Sequence, residues 1–332
     1  NASCAYCFAR AGDRGDAELS GDTARAVVRE GRYLGYRRLH LTGGEPFLWG
    51  PLHALVDFAR SLGFNEVFIN TNGTLAHDAA IEPFRAHREG LSFSVSIDWP
   101  EALHDAHRGA GSFAAASCGL ARLLDAGMKC CVFTCVDSAN VNEIPRLADH
   151  LFRGFPGIDH LTLIPIHGAP RRRRRDAINR VSTMTADNST LNTDEFIAMV
   201  RSAALLNLYG WTTAVLDAPL ASAASRAMGM PWIPRALPRA RPGRITVLAD
   251  GNITVAHSTN VSFVAFDGRG LEGALSSPEY ARAVACDRKP CARCAFMELC
   301  GEYGVIPLAD CPDSGEEALF CRRVLGDGTE TP

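Results

Sequence analysis

The sequence predicts an α/β protein in which parallel strand–helix units come first and a small cysteine-rich segment follows. Three observations carry this. Five short runs rich in Val, Ile, Phe and Leu alternate with amphipathic stretches between residues 38 and 167. Polar residues gather at the C-terminal ends of those runs: Thr42 and Glu45, Asn70 and Asn72, Ser96 and Asp98, Thr134 and Asp137, then His167. Cysteines fall into three groups, a pair at the start, four over 118–135 and six over 286–321, and that last segment shows little periodic pattern.

The strand candidates are RLHLTG (38–43), EVFINTN (66–72), LSFSVSID (91–98), KCCVFTCVD (129–137) and HLTLIPI (160–166). Helical patterns lie between them near 51–62, 77–88, 113–126 and 142–153. Strands spaced by helices describe βα units with right-handed crossovers and a parallel sheet. In such a sheet the C-terminal strand edge is where ligands sit, so five polar strand ends in succession point to one site. Residues 168–190 change character and carry Arg171 to Arg175 in a row, a solvated loop or a dock for an acidic peptide or anionic substrate. A helix is expected over 193–209, with Thr193 as N-cap and Glu195 in its first turn. The Pro- and Ala-rich stretch 219–244 reads as an irregular connection, and RITVLADGNITVAH (244–257) as a hairpin around Asp250-Gly251.

Composition narrows the function classes. The chain has 332 residues, 47% of them hydrophobic and 21% charged, which suits two folded domains rather than disorder. A net charge of −3 gives no electrostatic footprint for nucleic acid. No apolar run reaches the roughly 18 residues of a membrane span. Twelve cysteines without a visible signal peptide suggest a cytoplasmic protein whose thiols bind metal. Cys118, Cys130, Cys131 and Cys135 fall within helix and strand patterns, where cysteine acts as a small hydrophobe.

Two motifs sit close together in the first fifty residues. Cys4-Ala5-Tyr6-Cys7 is a tight thiolate pair, and Thr42-Gly43-Gly44-Glu45-Pro46 follows directly on a strand. Glycines there allow close approach of backbone to a ligand. Together these stretches resemble the radical S-adenosylmethionine (SAM) superfamily, whose signature is C-x3-C-x2-C. The resemblance places the first cysteine just before Asn1, so the chain is expected to begin after the first cluster ligand. It implies a partial (β/α)6 TIM-like barrel lacking its first strand. It also implies a [4Fe–4S] cluster on Cys4 and Cys7 whose open iron is chelated by SAM. One electron from a reductant such as flavodoxin or ferredoxin then yields a 5′-deoxyadenosyl radical, which abstracts hydrogen from substrate. SIDWPEALHDAHRGAGSF (96–113) resembles a further family stretch. By that likeness Ser96 and Asp98 line the SAM site and Arg108 pairs with the SAM carboxylate, with Thr42, Gly43, Gly44 and Glu45 beside it. Asn72 and Ile164 fall where the family contacts ribose and adenine, and Tyr6 is placed near adenine. Trp99 stands where the family commonly has glycine.

Cys291-x2-Cys294-x5-Cys300 is a knuckle with a third thiolate a short loop away. It resembles the SPASM/twitch extension of radical SAM enzymes, which carries auxiliary clusters. Cysteines of that pattern are replaced by Ala256 and Gly304, which implies one auxiliary [4Fe–4S] cluster rather than two. Its ligands would be Cys291, Cys294, Cys300 and Cys321, with Cys311 as the alternative fourth. Tetrahedral zinc is the other occupant such a knuckle accepts. The expected organisation is a barrel core over 1–190, a helix and Pro-rich connector over 191–243, and an auxiliary-cluster domain over 244–332. The subgroup implies maturation of a ribosomally made peptide. The alternatives are tetrapyrrole, aminoglycoside or sulfatase-maturing chemistry, and a non-catalytic zinc-binding or degenerate homologue.

Overall fold

The computed structural model describes residues 2, 4, 17–166, 191–216, 219–230, 233, 245–254, 264–266, 270–284 and 324. Its centre is a six-stranded parallel sheet: β1 (Arg38–Leu41), β2 (Glu66–Thr71), β3 (Leu91–Ser96), β4 (Lys129–Val136), β5 (Ile158–Pro165) and β6 (Thr213–Val215). Strand order equals chain order, so each crossover returns the chain to the next position along the sheet, the arrangement of a partial TIM-like barrel. Five strands match the sequence reading to within two residues at each end. The sixth, β6, was not anticipated, because three residues are too few to show a period.

Helices pack against the sheet in the intervals: α1 (Gly21–Tyr33), α2 (Leu52–Ser61), α3 (Asp78–Ile81), α4 (Glu101–Arg108), α5 (Ser112–Asp125), α6 (Ile144–Gly154) and α7 (Thr193–Leu208). In α6 the buried side chains are Ile144, Leu147, Ala148 and Leu151, the i, i+3, i+4, i+7 stripe of a core-facing helix. α1 starts where the Ser20 hydroxyl accepts from the Thr23 amide at 3.1 Å. The helix expected over 77–88 is α3 followed by a 3-10 turn over Glu82–His87, where Pro83 has no N–H to donate to an i−4 carbonyl. Asn192, not Thr193, caps α7. Its side chain accepts from the Glu195 amide at 3.0 Å while Glu195 accepts from the Asn192 amide at 2.8 Å, a reciprocal box that fixes the start. The stretch read as irregular over 219–244 contains α8 (Pro219–Ala227), whose Ala221, Ala223 and Ala224 are buried.

The expected hairpin is present as β7 (Thr246–Val247) and β8 (Asn252–Thr254), antiparallel, with Gly251 at φ +80° in the turn. β9 (Val264–Ala265) adds a third strand, and α9 (Gly270–Leu275) and α10 (Pro278–Val284) follow. Ile253, Leu271 and Ala274 form a small second core that packs on Val27 and Leu34 beside it. The amide of Leu271 also donates to the Glu30 carboxylate at 2.7 Å, tying α9 to α1. Among the described residues no helix is long and apolar enough to cross a membrane.

Cys130 and Cys131 are buried, and desolvation pushes the Cys130 thiol up to about 12 and Cys131 higher still. Both act as core side chains, as expected. Cys118 does not: it is exposed on α5.

Candidate functional site

Parallel register sets the C-terminal ends of β1 to β5 side by side, and the chain segments leaving them build the site. The segment after β1 contains Thr42, Gly43 and Gly44, all exposed. Gly43 has φ +147°, a conformation that a side chain rarely adopts, and a Cβ built there meets no atom within 4 Å. The two glycines thus form an open backbone shelf. Glu45 follows and turns inward. It is 7% exposed, accepts from the Thr71 hydroxyl at 2.7 Å and the Asn72 amide at 2.8 Å, and caps the next turn by accepting from the Phe47 amide at 3.2 Å. Burial raises its pKa, and the three hydrogen bonds work against that rise.

Asn72 sits directly after β2. Its side-chain oxygen accepts from the Thr74 amide at 2.9 Å and the Thr74 hydroxyl at 2.7 Å. This turn is seated tightly. Gly73 has φ +78°, and a Cβ on it would stand 2.7 Å from Val95 Cγ1 and 3.2 Å from the Ala116 carbonyl oxygen. Facing it on α5, a Cβ on Gly119 would stand 2.0 Å from the Gly73 carbonyl oxygen. Two glycines, one on each side, bring the turn onto the helix.

Past β3, Ser96 ends the strand and Asp98 lies fully buried. Arg108, the last residue of α4, donates from Nε to Asp98 Oδ2 at 2.7 Å and from Nη2 to Oδ1 at 3.4 Å. The Cys135 amide donates to Asp98 Oδ1 at 2.9 Å, which joins β4 to the pair. Ile164 on β5 pairs in register with Cys135 and is half-buried. His104 Nδ1 accepts from the Asp98 amide at 3.0 Å, so its proton is on Nε2. Burial, then the charge of Arg108, lowers its pKa to about 4 and keeps the ring neutral. Asp105 accepts from the amides of Gly111 at 2.7 Å and Phe113 at 2.8 Å, supplying to α5 the cap that Gly111 has no side chain to give. Those amide bonds, that of Phe113 foremost, hold the Asp105 carboxyl below its usual range.

A cavity of about 270 Å³ opens between these groups, lined by Ala2, Asn72, Thr74, His104, Arg108 and the 109–112 turn. The geometry therefore forms two bonded pairs, Glu45 with Asn72 and Asp98 with Arg108, and Asn72 and Arg108 both line the cavity. Asp98 touches no solvent and acts through Arg108. Trp99 turns away from this network and packs on Phe113 and His150, with ring centroids 5.9 and 4.8 Å apart. Cys4 is described and half-buried, two residues from the cavity-lining Ala2. Tyr6, Cys7, His167, the arginine run, and Cys286, Cys291, Cys294, Cys300, Cys311 and Cys321 lie outside the described residues. Sequence reasoning assigned no part to Thr71, Thr74, His104, Asp105, Gly73 or Gly119. His104-Asp105 was visible as a motif, but its work is done on backbone amides that a sequence does not display.

Residues 1–151 match the Radical SAM superfamily. Among curated proteins the chain is 32% identical over 154 residues to the Fe-coproporphyrin III synthase of Methanosarcina barkeri, covering 46% of this chain and 38% of that protein. It is 35% identical over 101 residues to a probable GTP 3′,8-cyclase of Methanothermobacter marburgensis, covering 30% of this chain and 33% of the relative. It is 34% identical over 150 residues to the AdoMet-dependent heme synthase of Nitratidesulfovibrio vulgaris, covering 43% of this chain and 39% of the relative. The chain thus spans well under half the length of these relatives. In fold it resembles anSMEcpe with bound AdoMet, with a TM-score of 0.67 at 13% identity, over 90% of this chain and 84% of the other. It also resembles Streptococcus suis SuiB bound to S-adenosylmethionine, with a TM-score of 0.66 at 14% identity, over 90% of this chain and 69% of the other.

Proposed function

We propose that this chain, whose residues 1–151 form a radical SAM domain, binds SAM across the strand-end rim and performs hydrogen-abstraction chemistry on a substrate. The observation that carries the reading is that two bonded pairs, Glu45–Asn72 and Asp98–Arg108, meet one cavity that Asn72 and Arg108 line. These residues suit the cofactor's parts. Asp98 fixes the plane of the Arg108 guanidinium, which can then meet a carboxylate. The open shelf at Gly43 and Gly44, with the Glu45 carboxylate behind it, offers carbonyls and negative charge to an amino group. Asn72 and Thr74 present polar atoms to a ribose, Ser96 borders the same rim, and Ile164 and Tyr6 supply apolar surface for adenine. Cys4 and Cys7 are the thiolates we assign to the [4Fe–4S] cluster. When bound, cluster and SAM together supply one-electron cleavage of a carbon–sulfur bond and hydrogen-atom abstraction.

We assign the barrel core to 1–190, the connector to 191–243 and an auxiliary-cluster domain to 244–332. In the last, Cys291, Cys294, Cys300 and Cys321 would hold one further [4Fe–4S] cluster. The proposed substrate is a peptide in the cytoplasm, with flavodoxin or ferredoxin as electron donor. It is supported by likeness in fold to anSMEcpe, a protein also solved with a bound peptide, over 90% of this chain. A tetrapyrrole is the second reading, favoured by the names of two curated relatives.

The test uses full-length protein reconstituted without oxygen. It should bind about eight irons and release 5′-deoxyadenosine on addition of dithionite and SAM. Arg108→Ala should weaken SAM binding at least tenfold, and Cys291→Ala should halve the iron. A colourless, zinc-loaded preparation, or SAM binding indifferent to Arg108, would refute the assignment. Turnover with Fe-coproporphyrin but not with a precursor peptide encoded beside the gene would favour the second reading of the substrate.

A further inference from the structure

Outside the cavity, one group of side chains has the arrangement of a metal centre. His53 and Asp57 lie one turn apart on α2, and His87 ends the 3-10 turn over Glu82–His87. A ring nitrogen of His53, a carboxylate oxygen of Asp57 and a ring nitrogen of His87 all lie within 4.8 Å of one another. His53 Nε2 is 3.3 Å from Asp57 Oδ2, and His87 Nε2 is in contact with Asp57 Oδ1. The Pro83 carbonyl oxygen stands 3.0 Å from His53 Nε2. None of these residues lines the cavity described above.

We propose that His53, Asp57 and His87 form a divalent transition-metal site that clips α2 to the segment 82–87. Four ligands held about 2.0–2.1 Å from zinc in a tetrahedron are separated by roughly 3.3 Å, close to the His53–Asp57 distance. Two imidazoles and one carboxylate suit Zn²⁺, Co²⁺ or Ni²⁺ and leave a fourth position for water. The spacing His-x3-Asp puts both α2 ligands on one helical face, where residues four apart are neighbours. The Phe84 ring meets the His53 ring edge-on at 5.6 Å and holds it in place. Side-chain exposures of 42%, 46% and 20% leave an ion room to enter. Binding exchanges the hydrogen bonds that His53 and His87 make at Nε2 for bonds to metal, so the proton each ring carries there leaves to solvent or moves to Nδ1.

The test is Co²⁺ titration of the full-length protein, read by visible absorption and by thermal unfolding, in wild type, His87→Ala and Asp57→Asn. Subtracting variant from wild type cancels any metal held by cysteines. We expect one equivalent of Co²⁺ in the difference, with ligand-field bands and no sulfur charge-transfer band. Affinity should fall at least tenfold in both variants, and the Co²⁺-induced rise in melting temperature should be lost. Asp57→Asn keeps the shape and an acceptor, so its melting temperature without metal should match wild type. Equal Co²⁺ uptake and equal stabilisation in all three proteins would overturn the site. So would a difference spectrum carrying the sulfur band.

Discussion

The buried pair Asp98–Arg108 makes a prediction whose size follows from its surroundings. The Asp98 side chain is 0% exposed and that of Arg108 9% exposed. Asp98 accepts from Arg108 at 2.7 Å and from the Cys135 amide at 2.9 Å. Asp98→Ala would remove the bonded carboxylate from a guanidinium with little access to water, at a cost of about 3–5 kcal/mol. Arg108→Ala would take the bonded guanidinium from the fully buried Asp98 carboxylate, at a similar cost. The double variant removes both charges and retains neither penalty in full. The two single costs should therefore exceed the double by about 2 kcal/mol, within the range of directly bonded neighbours. Urea unfolding followed by tryptophan fluorescence reads all four proteins, and Trp99 next to Asp98 is a local reporter. Additivity within about 0.5 kcal/mol would refute the claim that Asp98 exists to hold Arg108. SAM affinity gives the functional half. Asp98→Asn, which keeps an acceptor for the Cys135 amide, should still raise the Kd, because the guanidinium plane loses its charged partner.

Gly73→Ala should cost about 2–5 kcal/mol, summing left-handed backbone strain with a clash against Val95, measured as a lower urea midpoint. Gly119→Ala should also destabilise despite the roughly 1 kcal/mol that alanine gains in a helix, since its Cβ would meet the Gly73 carbonyl; a stabilised protein would contradict this packing. His104 stays neutral in the fold down to about 4, whereas an unfolded histidine takes up a proton below about 6.5. Wild type should therefore lose stability relative to His104→Gln as pH falls from 6.5 towards 4, and a pH-independent difference in urea midpoint would count against it. Asp105→Ala should lower the melting temperature and weaken SAM binding together, because the 109–112 turn both caps α5 and walls the cavity; the two changes separating would break that link.

Much of the architecture could be read from residue order alone. β3 is buried along nearly its whole length, and LSFSVS shows as a strand because large apolar residues at 91, 93 and 95 alternate with small serines. The hairpin at Asp250-Gly251 was legible because a turn with positive φ selects glycine. What escaped notice was whatever the sequence encodes weakly. β6 is three residues long and exists because β5 offers it an edge. α8 lies among prolines and small residues, where helix-forming alanines and breakers compete and tertiary burial decides. The α7 cap moved by one residue because Asn192 and Glu195 satisfy each other's amides, a choice that two adjacent capping residues leave open to the eye.

The site divides along the same line. Of the residues whose side chains line the cavity, Asn72 was legible from its place directly after a strand, whereas Arg108, at the end of α4, was reached only through the family likeness of residues 96–113. Residues that hold those side chains in place did so through backbone groups: Glu45 on the Asn72 amide, His104 on the Asp98 amide, Asp105 on the amides of Gly111 and Phe113. Buried polar atoms must find partners, and for Glu45 and His104 these include peptide N–H groups, as they do for the more exposed Asp105. One arrangement therefore answers two needs. Satisfying the buried polar atoms fixes the strand-end segments in register, and that fixed register brings an amide from β2 and a guanidinium from α4 to the same cavity. Loosening any one of these amide contacts should be felt at the cavity before it is felt in the sheet, because the sheet's own ladder does not depend on them.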